Sequence, residues 1–145
     1  DLYMIVATHL SIDTDATAIK FYWGAGSYLS SNYGYDVVST VVGAAASKVT
    51  SASDDHVKIF DSITGNATGE THSFVIQFNN PNHTDEMHKF WWQGCGINTA
   101  AKLVATRGMA FNTSQAAITK MKFDSGTSGR NFDASGKVAL YGLSK

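Results

Sequence analysis

Phe74-Val75-Ile76-Gln77-Phe78, closed by Asn79-Asn80-Pro81-Asn82, is the plainest structural statement in this sequence. Phe74, Ile76 and Phe78 alternate with Val75 and Gln77, the period of two that sends successive side chains to opposite faces of a strand. The Asn-rich run with Pro81 then stops the pattern, because these residues favour turns over ladders. The same period returns on both sides. Ile19, Phe21 and Trp23 alternate with Lys20 and Tyr22 ahead of Gly24-Ala25-Gly26, and Val138 and Leu140 alternate with Ala139 and Tyr141. Further strand-like runs cover Leu2 to Thr8, Tyr33 to Gly43, His56 to Phe60, His88 to Gln93, Leu103 to Phe111 and Ile118 to Phe123. The count is about nine strands separated by Gly, Ser, Asn and Asp clusters. Phe21, Trp23, Phe74, Ile76, Phe78, Phe123, Val138 and Leu140 form the expected core.

Helical signals are weak. The best window runs from Ser39 to Lys48 around Ala44-Ala45-Ala46, but Val41, Val42 and Gly43 count against it. Thr113 to Ala117 offers at most one turn. The expectation is therefore one domain over residues 1–145, all-β, an antiparallel jelly-roll β-sandwich.

Composition narrows the function. A chain of 145 residues can bury one real core. Charged residues make up 16%, well under the soluble average of about 25%, which points to a surface covered by neighbours and hence to a homo-oligomer. The net charge is −1 with no Lys/Arg run, so the phosphate-neutralising patch of a nucleic-acid binder is not expected. No apolar run reaches the roughly 18 residues of a membrane span. The chain starts on strand-like residues without an initiator Met or a basic leader, the mark of a trimmed chain or of an absent upstream segment. Cys95 is the single cysteine, which leaves no intrachain disulfide. Between Gly94 and Gly96 it reads as a buried or half-buried inert thiol.

The candidate chemistry is thin. Asp13-Thr14-Asp15-Ala16-Thr17 fits a D-x-D-x-T phosphoryl-transfer pattern, but that chemistry needs a parallel sheet with crossover helices, so a polar turn is the better reading. His83 and His88 flank Asp85 and Glu86 at a spacing of five, which does not put both on one helix face as a zincin requires. His72 is the one candidate third ligand, and the better reading of His83 and His88 is solvated loop histidines. Gly24-Ala25-Gly26 precedes no helix and is a turn, not a phosphate loop. No catalytic residues, cofactor or metal are expected, and the chain is not read as an enzyme. Asn66, Asn82 and Asn112 begin N-x-[ST] sequons, which matter only on a eukaryotic secretory route.

The aromatic residues are the informative ones. Phe90, Trp91 and Trp92 form the densest cluster; Tyr22, Trp23, Tyr28, Tyr33 and Tyr35 form a second. Trp91 and Trp92 must point to opposite faces of a strand. One belongs to the core and the other to a neighbour, a ligand or solvent. Trp91, Trp92, Tyr22 and Tyr35 are the candidate interface or ligand residues.

The C-terminal part resembles a known group. Ala117-Ile118-Thr119-Lys120-Met121-Lys122-Phe123, the loop Gly129-Arg130-Asn131-Phe132-Asp133-Ala134-Ser135-Gly136 and Lys137-Val138-Ala139-Leu140-Tyr141-Gly142-Leu143 form a cassette. It resembles the end of a group of bacteriophage virion proteins that close with an I-x-x-I-x-F … S-G-N-F-x-S-G-x-x-x-L-Y-G pattern. Asn80-Pro81 before Lys89-Phe90-Trp91-Trp92 fits the middle of that group. Asp1-Leu2-Tyr3-Met4-Ile5-Val6 and Ile19-Lys20-Phe21 resemble its early strands. The resemblance implies a structural protein of the virion surface: a capsid decoration, a fibre subunit or a tail-associated subunit. Its implied partners are other copies, a trimer by analogy, and virion proteins such as the major capsid protein. The alternative is a carbohydrate-binding or receptor-binding module that takes a host-surface glycan. Similar chains carry a further strand before this chain's first residue, so the first strand is expected at an unpaired edge or completed by another chain. Asp124 to Gly136 is expected to be a hairpin loop with Phe132 tucked inward.

Overall fold

The computed structural model describes residues 1–61, 64–126, 132 and 136–143. Most of the cassette loop, including Gly129-Arg130-Asn131 and Asp133-Ala134-Ser135, lies outside the described residues. Ten strands follow one another: β1 (Leu2–Leu10), β2 (Ile19–Gly24), β3 (Tyr33–Val41), β4 (Ser47–Asp54), β5 (Val57–Phe60), β6 (His72–Asn79), β7 (Lys89–Ile97), β8 (Leu103–Asn112), β9 (Lys120–Ser125) and β10 (Lys137–Leu143). Strand makes up 58% of the chain, and no helix occurs among the described residues. The all-β expectation therefore holds. The first weak helical window is strand and turn, and the second is irregular backbone.

The strands form two antiparallel sheets. The larger has the order β10-β1-β6-β7-β8-β3-β4 and the smaller β5-β2-β9. An order of seven and three establishes an antiparallel two-sheet architecture. It does not establish the jelly-roll winding, which wraps eight strands as two Greek keys.

The small sheet lies on one face of the large one, and aromatic residues fill the space between. Phe21 and Trp23 of β2 meet Phe90 of β7, Trp23 packs edge-on against Tyr33 of β3, and Phe60 of β5 meets Phe74 of β6. Two polar side chains in this layer are bonded across it, whereas the Trp23 and Trp92 indole N–H groups meet no acceptor among the described residues. The Tyr33 hydroxyl donates to the Trp23 carbonyl at 2.8 Å and accepts from its N–H at 3.0 Å. Thr106 Oγ1 donates to the Ile59 carbonyl at 2.9 Å. Such pairing removes the cost of burying these groups. Asp13 to Thr17 is a turn, as expected, and it is clamped to the 64–66 segment. Ala16 N–H donates to Thr64 O, and Asn66 N–H donates to Asp15 Oδ1, each at 2.8 Å.

Five expectations need correction. β9 and β10 do not form a hairpin: β9 pairs with β2 and β10 with β1, so the connection crosses between sheets. Phe132, tucked inward as expected, bridges to Ile12 on the way. β1 is not an edge, because β10 and β6 flank it. Val138 and Leu140 are 52% and 63% exposed. They share a face with buried Ala7 and Ile5, their direct partners, but β10 overhangs the narrower sheet that would cover them. Phe123 is only partly buried, packed against the margin of the core. The strand missed was β4, whose Ser/Ala-rich sequence carries no apolar alternation.

Candidate functional site: the outer face of the seven-stranded sheet

The outer face of an antiparallel sheet normally alternates polar residues into water. Here it does not. Strand register sets Tyr141, Met4, Gln77, Trp91, Met109 and Asp36 in one row across the sheet. Ala139, Val6, Val75, Gln93, Arg107 and Val38 form the next row. Met109 is 65% exposed and Trp91 39%, and Leu103 and Phe111 of β8 also stand exposed on this face. Charge is sparse. Arg107 stands near the middle, and Asp36 is neutralised by Lys48 at 2.7 Å. Two adjoining grooves run over the face, about 700 Å³ from β1 across to β3 around Cys95 and Val75, and about 430 Å³ beside Trp91 and Arg107. The Trp91 indole N–H donates to Gln77 Oε1, which fixes the ring along the groove.

Strand β8 explains how large apolar side chains came to face outward. Its inward positions are Val104, Thr106, Gly108 and Ala110, and its outward ones Leu103, Ala105, Arg107, Met109 and Phe111. The core beneath is already filled: a Cβ at Gly108 would come within 2.3 Å of the Trp92 ring. Small residues are therefore required inside, and the bulky ones are left outside. Phe111 lies over Gly34 of the neighbouring strand, where a Cβ would come within 2.4 Å of its ring, and so covers that glycine's backbone.

The four aromatic candidates do not come together. Trp91 is on the outer face, and Trp92, 4% exposed, belongs to the core. Their opposite orientations follow the strand period, so Trp92 is not available to a partner or ligand. Tyr35 is buried too, and its hydroxyl donates to Asp54 Oδ2 at 3.0 Å. Burial, then that carboxylate, pushes its phenol pKa well above the ordinary value. Tyr22 lies on the small sheet, half-buried, with Lys122 Nζ 4.5 Å from its ring centre. Burial first and Asp124 second push its pKa up to about 12. Met109, Leu103, Phe111 and Arg107 were not singled out from the sequence. Cys95 is exposed rather than half-buried. Gly94 and Gly96 take the inward positions against Phe74 and His72, which turns the thiol out.

The histidines also separate. His72 opens β6, while His83 and His88 follow its far end. His88 is buried with Nε2 2.9 Å from the Ala116 carbonyl, so it is not the solvated loop histidine that the sequence suggested. Among the described residues, one group of three has metal-ligand atoms close together: Asp54, Asp55 and His56 in the β4–β5 turn. His56 Nδ1 contacts Asp55 and lies 3.6 Å from Asp54, and that hydrogen bond holds the Asp55 carboxyl below its ordinary pKa. The three are consecutive, and Asp54 already accepts from Tyr35. The geometry is that of a turn fastened to the sheet.

No family model, no curated protein and no solved structure matches this chain.

Proposed function

We propose that this chain is a structural subunit of a bacteriophage particle surface and works by assembly, with the outer face of its seven-stranded sheet seated on another virion protein. The observation that carries the reading is on that face itself: Trp91, Met109, Phe111 and Leu103 stand exposed where an antiparallel sheet would ordinarily meet water with polar side chains. Burying it against a shell or fibre protein removes that area from water, and exposed aromatic and methionine side chains suit the centre of such a contact. The cassette ending in Leu140-Tyr141-Gly142 supports the virion setting by resemblance, and the low charge agrees with a covered surface. Antibody raised against the chain should label the surface of intact particles in electron microscopy, and particles that carry no label would overturn the reading. Met109→Glu should abolish binding to particles stripped of the protein while leaving the fold intact, because Met109 makes little of the core.

The groove beside Trp91 favours one second reading. There an exposed indole stands among Gln77, Gln93, Asp36 and Arg107, an arrangement that could stack a sugar ring and bond its hydroxyls. Retention on polysaccharide that is lost in Trp91→Ala, together with unlabelled particles, would put this reading first.

A further inference from the structure

We propose that the free edge of β10 is a self-association site, at which a second copy of this chain adds its own β10 antiparallel about a two-fold axis through Leu140. The two edges of the large sheet differ in the way that matters for strand addition. β4 is blunted: it carries Lys48 and Asp54 along a Ser-rich strand, and its pairing with β3 slips between Tyr33 and Tyr35. Charges and irregular register are the usual protection of an exposed edge. β10 has neither along its length. It pairs with β1 in unbroken register from Leu2↔Leu143 to Thr8↔Lys137, and its one charge is the first residue, Lys137. Among the described residues no strand pairs with its far side. Its Val138 and Leu140 stand past the cover of the small sheet, more than half exposed.

The strand's own sequence points to a copy of itself. Antiparallel pairing centred on Leu140 sets Leu140 against Leu140, Ala139 against Tyr141 and Val138 against Gly142. A small residue then meets a large one on the outer face, and the apolar overhangs of the two copies meet on the inner face. Lys137 falls opposite Leu143, so no like charges face each other across the strands. Such an isologous contact closes on itself, and the net charge of −1 offers little repulsion between copies. One seven-residue strand is about 23 Å long and makes less than a standard interface, so a dissociation constant of about 1–100 µM is expected. The inference stands on the edge alone and does not depend on the virion setting.

Disulfide trapping tests the register. In a Cys95→Ser background, Leu140→Cys brings two thiols together at the axis and should form a covalent dimer as its main product under mild oxidation. Val138→Cys alone should not, since it faces Gly142, whereas Val138→Cys mixed with Gly142→Cys should form the cross-linked pair. Sedimentation velocity of the unaltered chain should show a reversible dimer, and Leu140→Lys should weaken it more than about tenfold by setting like charges across the axis. Leu140 and Val138 are exposed, so their variants should keep the circular dichroism and melting of the parent, while Gly142→Cys requires the Tyr3 ring to shift by a few tenths of an ångström. A chain that remains monomeric at high micromolar concentration overturns the proposal. So does equal cross-linking at positions 138 and 140, or a monomer whose β10 variants lose capture of a different protein strand. Met109→Glu leaves β10 untouched, so loss of particle binding with dimerisation retained separates the docking face from this edge.

Discussion

Val138 and Phe74 stand in one cross-strand row, joined through Ala7, on the same face of the same sheet. Phe74 is 2% exposed and Val138 52%. Both alternate with their neighbours in the period of a half-buried strand. The difference lies in what stands opposite. Phe74 meets the rings of Phe60 and Phe123 from the small sheet, while β10 reaches beyond that sheet's margin. The period of a strand tells which side chains share a face. The width of the opposing layer decides which of them are covered, and that width depends on distant segments.

The sharpest way to break this comparison is to truncate its covered member. Phe74→Ala removes a ring packed between the sheets and should cost about 3–5 kcal/mol, read as a lower denaturant midpoint with an unchanged slope. A loss below about 1 kcal/mol would mean that the centre of the inner face is not the core, and that the two positions differ less than their exposures say.

Much of the architecture was legible in the sequence for a simple reason. Strands with one covered and one uncovered face declare themselves by alternation, and β1, β2, β3, β5, β6, β7 and β8 do so. Trp91 and Trp92 could be assigned to opposite faces from adjacency alone. What failed were properties that alternation does not encode. β4 is polar on both faces because it is an edge, so Ser47 to Asp54 showed no period. Segment Ile118 to Leu143 looked like a hairpin because its two strands are neighbours in sequence, yet their partners, β2 and β1, lie in different sheets. On β8 the sequence does not say which face is covered; Trp92 already occupies the inner volume and only Gly108 fits beneath it. The apolar outer face was thus partly foreseen, through Trp91, and partly hidden, through Met109 and Phe111. Its hidden part follows from packing against residues far away in the chain.

A covered polar group should sharpen the contrast through pH. His72 sits on the same inner face, with its ring edge-on to Phe60 at 5.1 Å, and burial lowers its pKa below the ordinary 6.5. In the unfolded chain the imidazole takes up a proton as pH falls below about 6.5, while in the folded chain burial resists that uptake. The unfolded state then binds more protons, so the stability present above pH 6.5 declines as the pH drops towards the lowered folded value. Melting temperatures at pH of about 7.5 and 5.5 should fall further for the parent chain than for His72→Gln, which cannot titrate. Equal falls would show that His72 is not isolated from water, and that the cover over β6 is looser than the rings around it suggest.

The smallest effect belongs to the uncovered member of the pair. Val138→Thr keeps the β-branched shape and the strand preference of valine and replaces a methyl group that is already in contact with water. At Phe74 the lost contacts are ring against ring. At Val138 no strand of the small sheet lies opposite, so there is little buried area to lose and no cavity to create. The change should alter folding stability by less than about 0.5 kcal/mol, the range of surface substitutions. The measurement must be made at low protein concentration, where pairing of β10 between copies adds nothing to the melting temperature. Raised concentration provides the second half of the test. If β10 pairs with itself, the parent chain should melt at a higher temperature as concentration rises, and Val138→Thr should show a smaller rise, because its hydroxyl must then leave water against Gly142 and the apolar overhang. A substantial loss already present at low concentration would place Val138 under cover within the single chain and remove the asymmetry between the centre of this face and its margin.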